Sequence, residues 1–260
     1  MSNETYAASA NQTAEKLLQV LEALARQSRP VKLVDLSREL GMNTSTLYRF
    51  LAALQNQGYI ARQEESSKYA LNLKLCYLAE QVKKGSSIAG ILHPAVVEAG
   101  ELFQEAAHLA QEEKRHIVYI DNAVGASQML VIRQHIGKTA PMHCTGVGKL
   151  LLLEYTDSQL DALIADLGLP RYTEHTLTTA QELREELRQV RAQGYAFDNE
   201  ECEIGVRCLA VPVRDYTGKI VAGLSVSGPT ARITDAVVQE KLPAFLEIAR
   251  RASFDLGYTG

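Results

Sequence analysis

Apolar residues in the first eighty positions recur at helical spacing and then switch to alternation. Leu17, Val20, Leu21 and Leu24 fall at i, i+3, i+4 and i+7, which predicts an amphipathic helix over 13–27 that Arg29-Pro30 interrupts. Leu33, Leu36 and Leu40 mark a second short helix, and Gly41 follows where a C-terminal cap belongs. Asn43-Thr44-Ser45 then offers cap residues to a third helix, whose stripe is Leu47, Phe50, Leu51 and Leu54 and which ends at Gly58. Two helices joined by so tight a turn predict a helix-turn-helix. Tyr59–Arg62 and Lys68–Leu71 alternate as strands around the polar turn Gln63–Ser67, a hairpin that forms a wing. Leu73, Leu75, Leu78 and Val82 punctuate a linker helix running to Gly85-Ser86-Ser87. The boundaries expected are 1–72 for a winged helix-turn-helix, 73–87 for the linker helix and 88–260 for a second domain. Apolar residues on an isolated linker predict self-association, as a dimer or a dimer of dimers.

From residue 88 onward, helical and strand patterns mix. Residues 91–108 read as a helix, 116–120 and 128–133 as consecutive strands, 145–155 and 157–167 as helices, and 180–193 as a charged helix. Strands are expected at 195–199, 206–214 and 219–227, the last two joined by Asp215–Gly218, before a final helix over 234–256. Hairpin connections predict an α+β fold, a central antiparallel sheet flanked by helices.

Composition adds direction. The 260 residues are 46% hydrophobic and 22% charged, ordinary for a globular chain, and no apolar run is long enough for a membrane span. The polar start lacks the order of a signal peptide, so a cytoplasmic location with no membrane partner is expected. Cys76, Cys144, Cys202 and Cys208 are then expected as thiols. The net charge of −4 divides unevenly: residues 1–85 hold 11 Lys+Arg against 8 Asp+Glu (+3), and the remainder 16 against 23 (−7). A mildly basic head on an acidic body suits a DNA-binding piece attached to a regulatory one.

The outer face of the third helix carries the nucleic-acid chemistry. Ser45 and Arg49 lie opposite its apolar stripe, Thr46 and Tyr48 flank them, and Thr44 opens the helix. Small hydroxyls allow close approach to phosphates or base edges, and an arginine binds guanine or a phosphate bidentately. Arg62 and Lys68 in the wing are candidates for the DNA backbone or minor groove, whereas Glu64 and Glu65 at its tip repel phosphate. In the second domain, Thr145–Lys149 approaches a phosphate-binding loop but has His143 and Leu150 where the pattern needs Gly and Ser/Thr, so that reading fails. Scattered histidines give no metal-like pair, and no metal or cofactor is expected. A nucleophilic set of Cys208, His143 and Asp198 is conceivable, and a small-molecule-acting enzyme using Cys208 is the rival reading, although catalysis is not expected. A winged head that binds protein is a second rival. Acids at Asp198, Glu200, Glu201 and Glu203 precede an apolar strand, and Ser225 and Ser227 share one strand face, where a polar ligand or neighbouring backbone would partner their hydroxyls.

The chain resembles the IclR family of transcriptional regulators through four blocks in order: STLYRFLAALQNQGYI in the head, PMHCTGVGKLLL at 141–152, GYAFDNEECEIGVRCLAVPV at 194–213 and GLSVSGPTARIT at 223–234. SSKYALNLKL (66–75) and DLGY (255–258) point to the branch that controls sugar-acid and keto-acid catabolism. Arg214 departs from the family's usual aromatic residue or histidine before Asp215. The resemblance implies a regulator, by family habit a repressor, of a catabolic operon, with operator DNA as partner and a GAF-like domain binding a small carboxylate or sugar acid. Carried over by motif, Gly146 would present a backbone N–H, Asp198, Cys208, Ser225 and Ser227 a polar wall, and Met129, Ile132, Ala140 and Val206 an apolar wall. Asp198 would then meet a ligand hydroxyl or a water, since an anion beside its carboxylate is unfavourable.

Overall fold

The computed structural model describes residues 11–78, 87–125 and 131–260, and the chain divides into two compact units, Met1–Ser86 and Ser87–Gly260.

In the first unit, α1 (Gln12–Ala25) starts on Asn11, whose side chain accepts from the Ala14 N–H, and it buries Val20, Ala23 and Leu24. After β1 (Val31–Lys32) comes α2 (Leu33–Leu40), closed by Gly41 at φ 60°, a left-handed conformation that a glycine adopts without strain. Two residues on, the Asn43 side chain accepts from the Thr46 N–H at 2.8 Å and starts α3 (Thr44–Asn56). The stripe read from the sequence turns inward: Leu47 and Leu51 are fully buried and Leu54 nearly so, in one core with Val20, Leu24, Leu36, Ile60 and Tyr69. β2 (Ile60–Arg62) and β3 (Lys68–Leu71) form the hairpin, and β1 adds a third antiparallel strand, with Val31 opposite Tyr69 and Lys32 opposite Lys68. That strand was not expected, because two residues are too few to show alternation. Residues 74–78 are helical, and the rest of the expected linker helix, to 84, lies outside the described residues.

The second unit opens with α4 (Ile88–Phe103), capped by Ser87. Then come β4 (Ala106–Glu113), β5 (His116–Val124), β6 (Thr139–Pro141), α5 (Gly146–Leu152), α6 (Asp157–Leu167) and α7 (Ala180–Gln193). β7 (Ala196–Asn199), β8 (Val206–Arg214), β9 (Ile220–Pro229) and α8 (Asp235–Asp255) complete it. The strands form one antiparallel sheet in the order β6-β5-β4-β9-β8-β7. Leu109, Leu209, Val211, Leu224 and Val226 on one face pack in a cluster with Leu92, Val96 and Phe103 of α4 and Phe245 and Ile248 of α8. On the other face, Ala110, Ile117, Ala196 and Ala210 share a second cluster with Leu150, Leu160, Leu163, Leu183 and Leu187 of α5, α6 and α7. This is the expected α+β arrangement, a sheet between helical layers.

Two expectations need correction. The helix expected to reach residue 108 ends at Phe103: Gln104 turns left-handed at φ 57°, and Ala106 begins β4. Residues 106–110 are buried on both faces of the sheet, so the strand reads as a continuous apolar run without alternation. The strand expected at 128–133 is not one over 131–133, and 128–130 lie outside the described residues; β5 pairs instead with β4 and β6. Arg214 ends β8 at a register shift and donates from Nη1 to the Gly218 carbonyl across the turn at 2.8 Å, a strand-end role. Among the described residues no helix is long and apolar enough to cross a membrane, and no group of His, Cys, Asp and Glu could hold a metal ion.

Candidate functional site

In the head, α3 separates its two faces cleanly. Thr44, Ser45, Tyr48 and Arg49 are exposed and Thr46 is half-buried, while Leu47, Leu51 and Leu54 face the core. The Ser45 hydroxyl donates to Asn43 Oδ1 at 3.0 Å, so the cap residue also holds the hydroxyl at the helix start. In the wing, Arg62 donates from Nη2 to Ser67 Oγ at 3.0 Å, with its guanidinium 5.8 Å from the Tyr69 ring centre. Lys68 lies directly across from Lys32, a cation that the sequence reading missed because β1 was not foreseen. Adjacent cross-strand cations repel each other, so an anion over that spot is favoured. Lys74 donates to the Gln57 carbonyl at the end of α3 (2.6 Å) and sits 4.4 Å over the Tyr59 ring.

In the second unit the strand register assembles most of the expected polar wall. Asp198 stands opposite Cys208, Cys208 opposite Ser227, and Ser225 opposite His108. These side chains share the sheet face covered by α5. The Thr145 hydroxyl donates to the Pro141 carbonyl (2.8 Å) and accepts from the Gly148 N–H (3.2 Å), starting α5. Gly146 lets that start lie against the sheet, since a Cβ there would stand 3.0 Å from the Ala210 Cβ and 3.2 Å from the Ala196 carbonyl oxygen. Ala140 is half-buried on β6 opposite Ile117, Val206 is half-buried at the start of β8, and Ile132 is half-buried in an irregular segment. Met129 lies outside the described residues.

Each polar group has a definite state. Asp198 is 4% exposed, and its Oδ1 accepts from the Glu201 N–H (2.8 Å) and the Cys202 N–H (3.3 Å), so it shapes the β7–β8 loop. Burial raises its carboxyl above the ordinary carboxylate range, against the pull of those two amides. Ser227 donates to the Cys208 sulfur at 3.0 Å, and burial pushes that thiol upward, away from the thiolate a nucleophile needs. His143 keeps its Nε2 3.1 Å from the Pro170 carbonyl oxygen. The acids at the loop divide: Glu203 is exposed, whereas Glu201 is buried and meets Lys149 at 2.5 Å. Lys149, 1% exposed, also reaches Glu186 (2.9 Å) and the Phe197 carbonyl (3.0 Å), a buried ionic cluster tying α5, α7 and the loop together.

The register also delivers two residues that the sequence reading missed. His108 is fully buried; its Nε2 accepts from the Gln134 N–H at 3.1 Å, so the neutral ring carries its proton on Nδ1, and Nδ1 has no partner among the described residues. Burial, assisted by Arg133, lowers its pKa to about 4. Tyr119 meets the ring edge-on at 5.6 Å, and burial raises its hydroxyl pKa. A histidine inside a run of alanines was the available signal. A groove of about 410 Å³ between α6 and α7, lined by Tyr155, Arg184, Arg188 and Arg191 among others, contains none of these residues.

Comparison with known proteins finds two family models. One described as the IclR helix-turn-helix domain matches residues 13–64, and one described as bacterial transcriptional regulator IclR C-terminal matches 81–254. The HTH-type transcriptional regulator KdgR of Escherichia coli is 35% identical over 243 residues, covering 94% of this chain and 92% of that protein. The transcriptional repressor IclR of Escherichia coli is 30% identical over 241 residues, covering 92% and 88%. A crystal structure of a putative IclR transcriptional regulator from Silicibacter superposes with a TM-score of 0.83 at 25% identity, covering 95% of this chain and 96% of that one.

Proposed function

Since this chain belongs to the IclR family of bacterial transcriptional regulators, we propose that it represses a catabolic operon and that a small carboxylate or sugar acid, bound in the second unit, changes its hold on the operator. The observation that carries the DNA half is the division of α3. A buried leucine stripe fixes the helix in the head, and Ser45, Tyr48 and Arg49 are left exposed on the side away from it. A helix so placed presents its N-terminal residues to base edges in the major groove. Lys32 and Lys68 are then positioned for phosphate, whereas Arg62 reaches DNA only by leaving Ser67.

Support for the ligand half is the cluster on the α5 side of the sheet. Hydroxyls of Ser225 and Ser227, the Cys208 thiol and the unpartnered Nδ1 proton of His108 converge on one face with buried Asp198. Neutral donors hold a carboxylate without a buried cation, and Asp198, its Oδ1 engaged by the loop, suits a ligand hydroxyl or a water. The chain is proposed to act in the cytoplasm, where the operator lies, and as a dimer or a dimer of dimers. Leu73 and Tyr77, 78% and 62% exposed, favour self-association through the linker segment 73–87. The relatives named above are regulators, and the raised Cys208 thiol weighs against the enzyme reading.

Replacing Arg49 with Ala tests the reading. Titration of a labelled operator fragment should show affinity lowered about 5–150-fold, the loss of a 1–3 kcal/mol base or phosphate contact, with the melting temperature unchanged. Unaltered affinity would move the DNA face off α3.

A further inference from the structure

Cys144 and Cys202, separated by 58 positions in sequence, face each other with their sulfurs 3.2 Å apart. Cys144 is fully buried immediately before the Thr145 cap of α5, and Cys202 is half-buried in the loop between β7 and β8. Cys202 also donates to the Cys144 carbonyl at 3.0 Å. The loop is held from several sides: Asp198 accepts from the Cys202 N–H, the Thr173 hydroxyl donates to the Glu200 carbonyl and the Thr176 hydroxyl to the Glu201 carbonyl, both at 2.7 Å. The other two thiols are placed differently, with Cys208 engaged by Ser227 and Cys76 exposed in the first unit.

We propose that Cys144 and Cys202 are a modification site, a thiol pair that hydrogen peroxide converts to a reversible disulfide, stapling the β7–β8 loop to the start of α5. A disulfide holds its sulfurs at about 2.05 Å, so the pair must close by only about 1.2 Å. The half-buried Cys202 reacts first, slowly, through the small thiolate fraction that its raised thiol releases: the thiolate attacks one peroxide oxygen, the O–O bond breaks, and the departing hydroxide takes up the released proton as water. The Cys144 sulfur then attacks the sulfenic sulfur, the S–S bond forms, and the S–O bond breaks with loss of a second water. Two thiols are oxidised and one peroxide is reduced to two waters. The contact with Cys144 and burial both raise the Cys202 thiol, so the thiolate fraction is small and the first step slow. Cys202 shares Asp198 with the polar cluster, and Cys144 lies two residues before Gly146. The staple therefore fixes one end of that cluster, a consequence that rests on the ligand reading above, whereas the linkage itself does not.

The test uses the full chain with Cys76→Ser, which removes the exposed thiol. After hydrogen peroxide treatment, blocking, unfolding and proteolysis, mass spectrometry should find one peptide pair joining Cys144 to Cys202, two hydrogens lighter and released by dithiothreitol. Cys208 should remain alkylatable, and the melting temperature of the oxidised protein should rise by a few degrees. Cys202→Ser in the same background should fold, lose the linked peptide and lose the rise. Recovery of Cys144 and Cys202 as free thiols or as sulfinic acids, or a rise that persists in Cys202→Ser, overturns the proposal.

Discussion

A single imidazole shows how burial writes pH dependence into this protein. The His108 ring titrates near 6.5 in an unfolded chain and at about 4 when folded, so between those values the unfolded state holds the extra proton. Its contribution to stability is complete above pH 6.5 and is lost as the pH falls toward 4, in total about 3 kcal/mol. Asp198 and Glu201 act in the opposite sense, since their raised carboxyls favour the folded state as they take up protons. The difference between two proteins isolates the histidine. Urea unfolding at pH 7 and pH 4.5 should show a smaller acid loss in His108→Gln than in the parent, because the amide oxygen reaches the position of Nε2 and still accepts from the Gln134 N–H but does not titrate. Parallel pH profiles would mean that the ring meets solvent in the folded state.

Among elements, α5 shows most clearly what glycine does here. A Cβ on Gly148 would lie 2.2 Å from the Met142 carbonyl oxygen and 2.4 Å from its Cα, both backbone atoms that cannot swing aside. Gly148→Ala should therefore cost about 3 kcal/mol or more, at the upper end of overpacking. Gly194→Ala, with nothing within 4 Å and only its left-handed φ of 83° to strain, should cost about 1 kcal/mol. Equal urea midpoints for the two variants would refute that packing argument. The glycines of this segment invite a phosphate-loop reading, and the correct inference, close approach of a helix to a strand, needed coordinates. Elements with one buried face were legible: the leucine stripes of α1, α2 and α3 and the charged face of α7 carry the 3.6-residue period. β4 was not, because a strand covered on both faces has no polar phase, and β1 is too short to have a period. Register was wholly illegible, and it is register that sets His108 against Ser225 and Asp198 against Cys208. From the residues alone the i, i+2 pairing of Ser225 and Ser227 pointed to a ligand, and Asp198 and Cys208 entered only as a nucleophilic set with His143; their place in a binding wall, and that of Gly146, came from family resemblance.

Regulation belongs to the whole molecule, because a ligand in one unit alters DNA affinity in the other only through differential binding to two states. A ligand found by thermal shift among small carboxylates and sugar acids should change operator affinity about 5–150-fold in the parent. The double variant Ser225→Ala, Ser227→Ala should hold the operator as tightly as the parent and lose most of that change. An undiminished response would place the ligand elsewhere.

His108 and Ser225, neighbours across β4 and β9, are 117 positions apart in the chain, whereas among the described residues the core of the head draws on nothing beyond Tyr69. On the ribosome the head therefore completes itself early, while β4 waits with a bare hydrogen-bonding edge until almost the entire chain has emerged. A message cut short before Ile220 would release a finished reader of DNA joined to an unfinished sensor. Such a product would compete for operators yet hear no metabolite, and late nonsense mutations in the gene should for that reason be dominant.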